Sequence, residues 1–135
     1  MTEMTMRTLG KNGPVVSALG MGCMAFRMGD DDSEKQAVRT LQSALDSGFS
    51  FLDTGDFYGS GQSEMLVGRA LRGRRDSAFL SVKFGAQVDP NGRIIGLDGR
   101  PNSIKNFAAY SLKRLGVDII DLYQPGRADP DVPYE

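Results

Sequence analysis

Histidine is absent from all 135 residues and cysteine occurs once, as Cys23. One cysteine cannot form an internal disulfide. With no histidine to activate it, Cys23 reads as a buried, inert thiol rather than a nucleophile. An excess of charge of either sign is also missing. Sixteen basic side chains balance 17 acidic ones for a net charge of −1, so no field favours nucleic acid or an anionic membrane. No apolar run approaches the ~20 residues that a membrane span needs. The start, Met1-Thr2-Glu3-Met4-Thr5-Met6, lacks the basic and apolar regions of a signal peptide. These absences favour a cytoplasmic location, and a hydrophobic content of 40% is ordinary for a globular chain.

What is present centres on Phe51-Leu52-Asp53-Thr54-Gly55-Asp56-Phe57-Tyr58-Gly59. Phe49, Phe51 and Leu52 read as a strand covered on both faces, as in parallel sheets flanked by helices. Asp53 is then expected where that strand ends, and the glycine-containing loop brings Tyr58 back beside it. Lys83 closes the next apolar stretch, Phe79-Leu80-Ser81-Val82-Lys83-Phe84, and a parallel arrangement delivers it to the same edge. A free phenol has a pKa of about 10, too high for efficient donation near neutrality. A lysine ammonium beside it lowers that value, and a carboxylate keeps the lysine charged and aimed. Asp53, Lys83 and Tyr58 therefore read as one proton relay. The plain alternative is a structural ion pair with a tyrosine packed on its stem.

Four stretches carry a resemblance: FLDTGDFYG (51–59), SVKFG (81–85), SLKRLGVDIIDLYQ (111–124) and RADPDVPYE (127–135). From Met6 to Glu135 the chain resembles the aldo-keto reductases. The resemblance implies a TIM-barrel (β/α) fold of which the first four strands, three helices and an N-terminal β-hairpin are present. It also implies hydride transfer from NADPH to an aldehyde or ketone, with Tyr58, Lys83 and Asp53 as three of four catalytic residues. The fourth, a histidine just before an Arg-x-Asp-Pro string, falls on Gly126. By the same resemblance Gly22, Cys23, Met24 and Asp53 lie at the nicotinamide end of the cofactor. Phe26, Tyr58 and Gln124 border the substrate, and Gln124, Arg127 or a water stands in for the histidine. Contacts to the cofactor's phosphates belong mostly to the second half of the family's barrel.

In chain order, Met6–Leu9 and Pro14–Leu19 flank the turn signal Gly10-Lys11-Asn12-Gly13, predicting a hairpin. Gly20-Met21-Gly22-Cys23-Met24-Ala25 superficially fits a dinucleotide fingerprint, but a loop comes after it where a helix should open. Close backbone approach explains its glycines better. A helix is expected from Asp32 or Ser33 to Gly48. A second starts near Ser63 and ends in Arg72-Gly73-Arg74-Arg75, a solvated basic cluster that complements the helix dipole rather than a phosphate site. Gly85–Arg100 reads as a long polar loop bordering the substrate pocket. A third helix, capped by Asn102 or Ser103, stops at Gly116, and Val117–Tyr123 reads as a fourth strand.

A complete barrel takes ~250 residues, so 1–135 reads as one unit, the N-terminal half of that architecture and a piece of a longer reductase. Two other functions stay open. One is an inactive half-barrel that pairs with its own copy through open sheet edges. The other is a nucleotide-binding module built on Gly20–Ala25.

Overall fold

The computed structural model describes residues 3–133. Strands β1 (Met6–Thr8) and β2 (Val15–Ser17) form the expected antiparallel hairpin, with Met6 opposite Ser17. Ser17 ties the hairpin to a distant stretch of the chain, because its hydroxyl accepts from the amides of Ser50 and Phe51 at 3.0 and 3.2 Å. The chain continues through β3 (Gly20–Gly22), α1 (Asp31–Asp46), β4 (Phe51–Gly55), α2 (Gln62–Ala70), β5 (Phe79–Phe84), β6 (Ala86–Val88), β7 (Ile94–Leu97), α3 (Pro101–Leu115) and β8 (Leu122–Pro125). Strands β3, β4, β5 and β8 make one parallel sheet in that order, and the barrel is not closed. Among the described residues no helix is long and apolar enough to cross a membrane. Tyr134 and Glu135 lie outside the described residues.

Side chains alternate across the sheet. One face carries Leu52, Thr54, Leu80 and Val82, all fully buried. Leu52, Leu80 and Val82 form a single core with Leu41 and Leu45 of α1, Val67 and Ala70 of α2, and Leu115 of α3. Each such leucine contributes about 1.5–3 kcal/mol by leaving water. Phe51, Asp53, Phe79, Ser81, Lys83, Leu122 and Gln124 alternate to the other face, where the Phe51 and Phe79 rings stack at 5.3 Å. The expectation that Phe49, Phe51 and Leu52 form a strand covered on both faces is thus corrected. Phe49 lies outside β4, and Phe51 is only partly buried. Asp53 is mid-strand rather than at its end, since pairing with β5 continues to Gly55 opposite Lys83.

Local chemistry explains the other departures. Helix α1 starts before Asp32 because the Asp30 carboxylate caps it, accepting from the Ser33 amide at 2.8 Å. Helix α3 starts at Pro101, whose fixed φ suits a first helical position. Ser103 caps nothing and donates its hydroxyl to Asp98 at 2.8 Å. Gly116, at φ 65°, ends α3 as expected. The expected loop Gly85–Arg100 holds the antiparallel β6–β7 hairpin, its turn fixed by the Asp89 carboxylate accepting from the amides of Asn91 and Arg93. The fourth strand begins at Leu122 rather than Val117. At Asp121 the amide still donates to the Leu80 carbonyl at 3.0 Å, but the side-chain carboxylate, not a strand carbonyl, accepts from the Leu80 amide and from Arg75, both at 2.6 Å. The basic cluster is correspondingly structural: Arg74 pairs with Asp46, and Arg75 with Asp121. After Gly22 the chain passes through a turn and loop to Asp30, so Gly20–Ala25 lacks the strand-to-helix geometry of a dinucleotide fingerprint.

Candidate active site

Adjacent parallel strands bring Asp53 and Lys83 onto one face, two register positions apart. The Lys83 ammonium donates to Asp53 Oδ2 at 2.5 Å. The other carboxylate oxygen accepts from the Ser81 hydroxyl at 3.1 Å, and Gln124 Nε2 donates to that hydroxyl at 3.2 Å. Both oxygens of Asp53 are therefore held, which fixes the direction in which the lysine is drawn. Burial alone would lower the Lys83 pKa. The hydrogen bond to Asp53, helped by the Tyr58 phenol, outweighs it, and the net shift is upward.

Tyr58 reaches this pair from the turn after β4. Its ring centroid lies 5.0 Å from Lys83 Nζ. The next three residues, Gly59, Ser60 and Gly61, all take positive φ, at 58°, 53° and 95°. Only Ser60 carries a side chain there, a strain on the order of 1 kcal/mol. Two arginines pack on the turn. A Cβ on Gly59 would lie 2.8 Å from Arg27 Cδ, and one on Gly61 would lie 2.6 Å from Arg114 Cδ. Arg114 is anchored by a 2.5 Å ion pair with Glu64, which is wholly buried.

Asp53, Lys83 and Tyr58 thus converge, as does Gln124. The expected cofactor neighbours separate. Gly22 stands opposite Asp53 in register, on the same face, with nothing within 4 Å of the place a Cβ would take. Cys23 turns the other way into the core with no exposed surface, where burial first, then the Asp53 charge, pushes its thiol up to about 12. Met24 is 60% exposed. Phe26 packs, partly buried, against the hydrophobic core. At Gly126 the expected histidine position is taken up by something else: a Cβ there would lie 2.8 Å from the ring of Phe57.

Sequence reasoning misses three residues. Ser81 is hidden inside an apolar strand, though its place two before Lys83 puts it on the lysine's face. Phe57 reads as an ordinary loop aromatic. Asp56 has a buried Oδ1 with no hydrogen-bond partner. Burial, then the Glu64 charge, raises its carboxyl to about 7 against the pull of Arg114.

Asp53, Lys83 and Tyr58 meet on one face of an open parallel sheet, and both the sequence and the fold of this chain match known proteins. The profile of the Aldo/keto reductase family matches residues 18–135. The chain is similar to the aldo-keto reductase yakc [NADP(+)] of Schizosaccharomyces pombe, 39% identical over 123 residues, covering 89% of this chain and 36% of the relative. Its fold is similar to that of aldo-keto reductase AKR11C1 from Bacillus halodurans in its holo form, with a TM-score of 0.81 and 39% identity over 91% of this chain and 40% of that one. A Klebsiella pneumoniae aldo-keto reductase in complex with NADPH gives 0.74 and 28%, over 98% and 42%. This chain belongs to the aldo-keto reductase family. It spans about two-fifths of the length of these relatives.

Proposed function

We propose that this chain supplies the proton-donating rim of an NADPH-dependent oxidoreductase that reduces aldehydes or ketones to alcohols. The observation that carries this reading is the Lys83 ammonium, 2.5 Å from the Asp53 carboxylate and 5.0 Å from the Tyr58 ring centroid. In this reading Tyr58 gives its hydroxyl proton to the carbonyl oxygen. Lys83 stabilises the phenolate that remains, and Asp53 keeps Lys83 charged and aimed. Ser81 and Gln124 hold Asp53 in turn.

Gly22 and Asp53 fit the reactive end of the cofactor, because the missing side chain at Gly22 leaves bare backbone beside the carboxylate. When bound there, NADPH supplies the hydride. The relatives' NADP(+) and NADPH descriptions support that choice of cofactor.

Carbonyl-dependent oxidation of NADPH, monitored by absorbance in the enzyme carrying this sequence, tests the assignment. Tyr58→Phe is expected to lower kcat about 10²–10⁴-fold, the usual worth of a general acid, while Tyr110→Phe on the exposed face of α3 leaves it unchanged. Unchanged turnover in Tyr58→Phe rejects the role. A second reading, self-association of a non-catalytic half-barrel, draws on β3 and β8, the outer strands of the four-stranded sheet. A monodisperse monomer by light scattering rejects it.

A further inference from the structure

Two glycines face the site without any conformational reason to be glycine. Gly55 ends β4, and Gly126 comes directly after β8, continuing its ladder through an amide that donates to the Phe84 carbonyl at 2.8 Å. Neither has positive φ. Counting alternate positions, both lie on the face of Asp53, Lys83 and Gln124, with Lys83 paired to Gly55 on one side and to Gln124 on the other. Space supplies the missing reason at Gly126. A Cβ there would stand 2.8 and 2.9 Å from Cε1 and Cζ of Phe57, inside any tolerable contact, whereas one on Gly55 would meet the same atoms at an ordinary 3.4 Å, which places the ring against both strands. The Phe57 ring therefore lies across the end of Lys83's strand, wedged between its two neighbours. Tyr58, next in the chain, meets that ring edge-on at 4.9 Å and 77°. With Phe57 seated, the Tyr58 ring has one side closed by the aromatic wedge and the Lys83 ammonium 5.0 Å from its centre.

We propose that Phe57 is a positioning residue that holds Tyr58 against Lys83, and that position 126 is glycine because the Phe57 ring takes the room of its side chain. The functional meaning rests on Tyr58 being the proton donor; the geometry does not. A gap of about 0.5–1 Å already forfeits a quarter to a half of a van der Waals contact, so a ring displaced by a methyl group loosens its hold on its neighbour.

The test is the nuclear Overhauser effect between the Tyr58 ring protons and the Lys83 ε-methylene, measured on the full chain. Phe57→Leu and Gly126→Ala are each expected to abolish it while leaving the backbone amide spectrum of the core strands in place. Phe79→Leu, on the same face but at the far end of β5, is expected to keep it. Adding Gly126→Ala to Phe57→Leu should change nothing further, since the two act on one contact. If Gly126→Ala folds only once Phe57 is leucine, the steric half is supported directly. An undiminished effect in folded Phe57→Leu overturns the proposal. Turnover of Tyr58→Phe reads the chemistry separately, so either idea can fail without the other.

Discussion

Replacing Asp56 by asparagine removes one charge while keeping the shape, and the surroundings of Asp56 set the expected effect on stability. Its Oδ1 is buried without a partner. Burial is the main cause that raises its carboxyl to about 7, and the Glu64 carboxylate adds to it. Arg114 and the amides of Gly85 and Phe57 pull the other way. An acid whose pKa is higher folded than unfolded holds its proton more tightly in the native state. That stability is complete below about pH 4 and is lost as pH rises through about 7. At about 1.4 kcal/mol per unit the full loss would approach 4 kcal/mol for a group sealed from water. The side chain is only partly buried, so solvent screening brings the expected loss to about 1–2 kcal/mol. Asparagine carries no such penalty. In urea unfolding monitored by far-UV circular dichroism, Asp56→Asn should match the wild type near pH 4 and exceed it by about 1–2 kcal/mol near pH 8, or about 3 °C in Tm per kcal/mol. Comparing the two proteins at each pH cancels the titrating groups that are not coupled to Asp56. A difference that stays flat with pH, or a wild type that gains on the variant as pH rises, refutes the reasoning.

Contacts elsewhere in the fold set three further outcomes. Gly68→Ala would set a Cβ 2.4 Å from the Leu115 carbonyl oxygen, forcing α2 and α3 apart. A net loss of about 2 kcal/mol in thermal unfolding is expected even though alanine favours helix, and a gain in stability would contradict this packing. Arg114→Ala leaves the wholly buried Glu64 without its counter-charge and should cost about 3 kcal/mol or more. Adding Glu64→Gln should restore most of it, and failure to do so argues against the ion pair as the cause. Cys23, with no exposed surface and its thiol pushed up to about 12, should react with an aromatic disulfide reagent only when the chain unfolds. A native-state rate near that of free cysteine would place the thiol elsewhere.

Sequence signals reach as far as local physics governs the chain. The Asn-Gly turn, the left-handed Gly116 and the alternation that turns Lys83 away from Val82 each depend on a few neighbouring residues, and each is where the sequence places it. Arg74 and Arg75 depend on Asp46 and Asp121, 28 and 46 residues away, and nothing local distinguishes them from a solvated cluster. The β6–β7 hairpin eludes pattern reading for another reason. Ile94 and Ile95, on opposite faces of β7, are 49% and 69% exposed, so its apolar residues carry no period-two pattern of burial. Glycine at 126 is illegible because its cause is a ring from the turn after β4, 69 residues earlier.

The register of β4 on β5 also decides which residue types the site can use. Asp53 stands opposite Ser81, not Lys83, so the lysine must reach back along its own strand face to meet the carboxylate. Two residues advance about 6.6 Å along a strand, within the span of a four-carbon stem. The stem can lie along that path only if the residue directly opposite Asp53 is short. Serine is short, and its hydroxyl occupies the carboxylate oxygen that the ammonium leaves free. A leucine at 81 would suit the apolar run around it yet would stand between acid and base. The polar interruption in Phe79–Phe84 is therefore a condition of the ion pair, and the same alternation that turns Leu80 and Val82 into the helix-covered core turns Ser81 and Lys83 to the opposite face, toward Asp53.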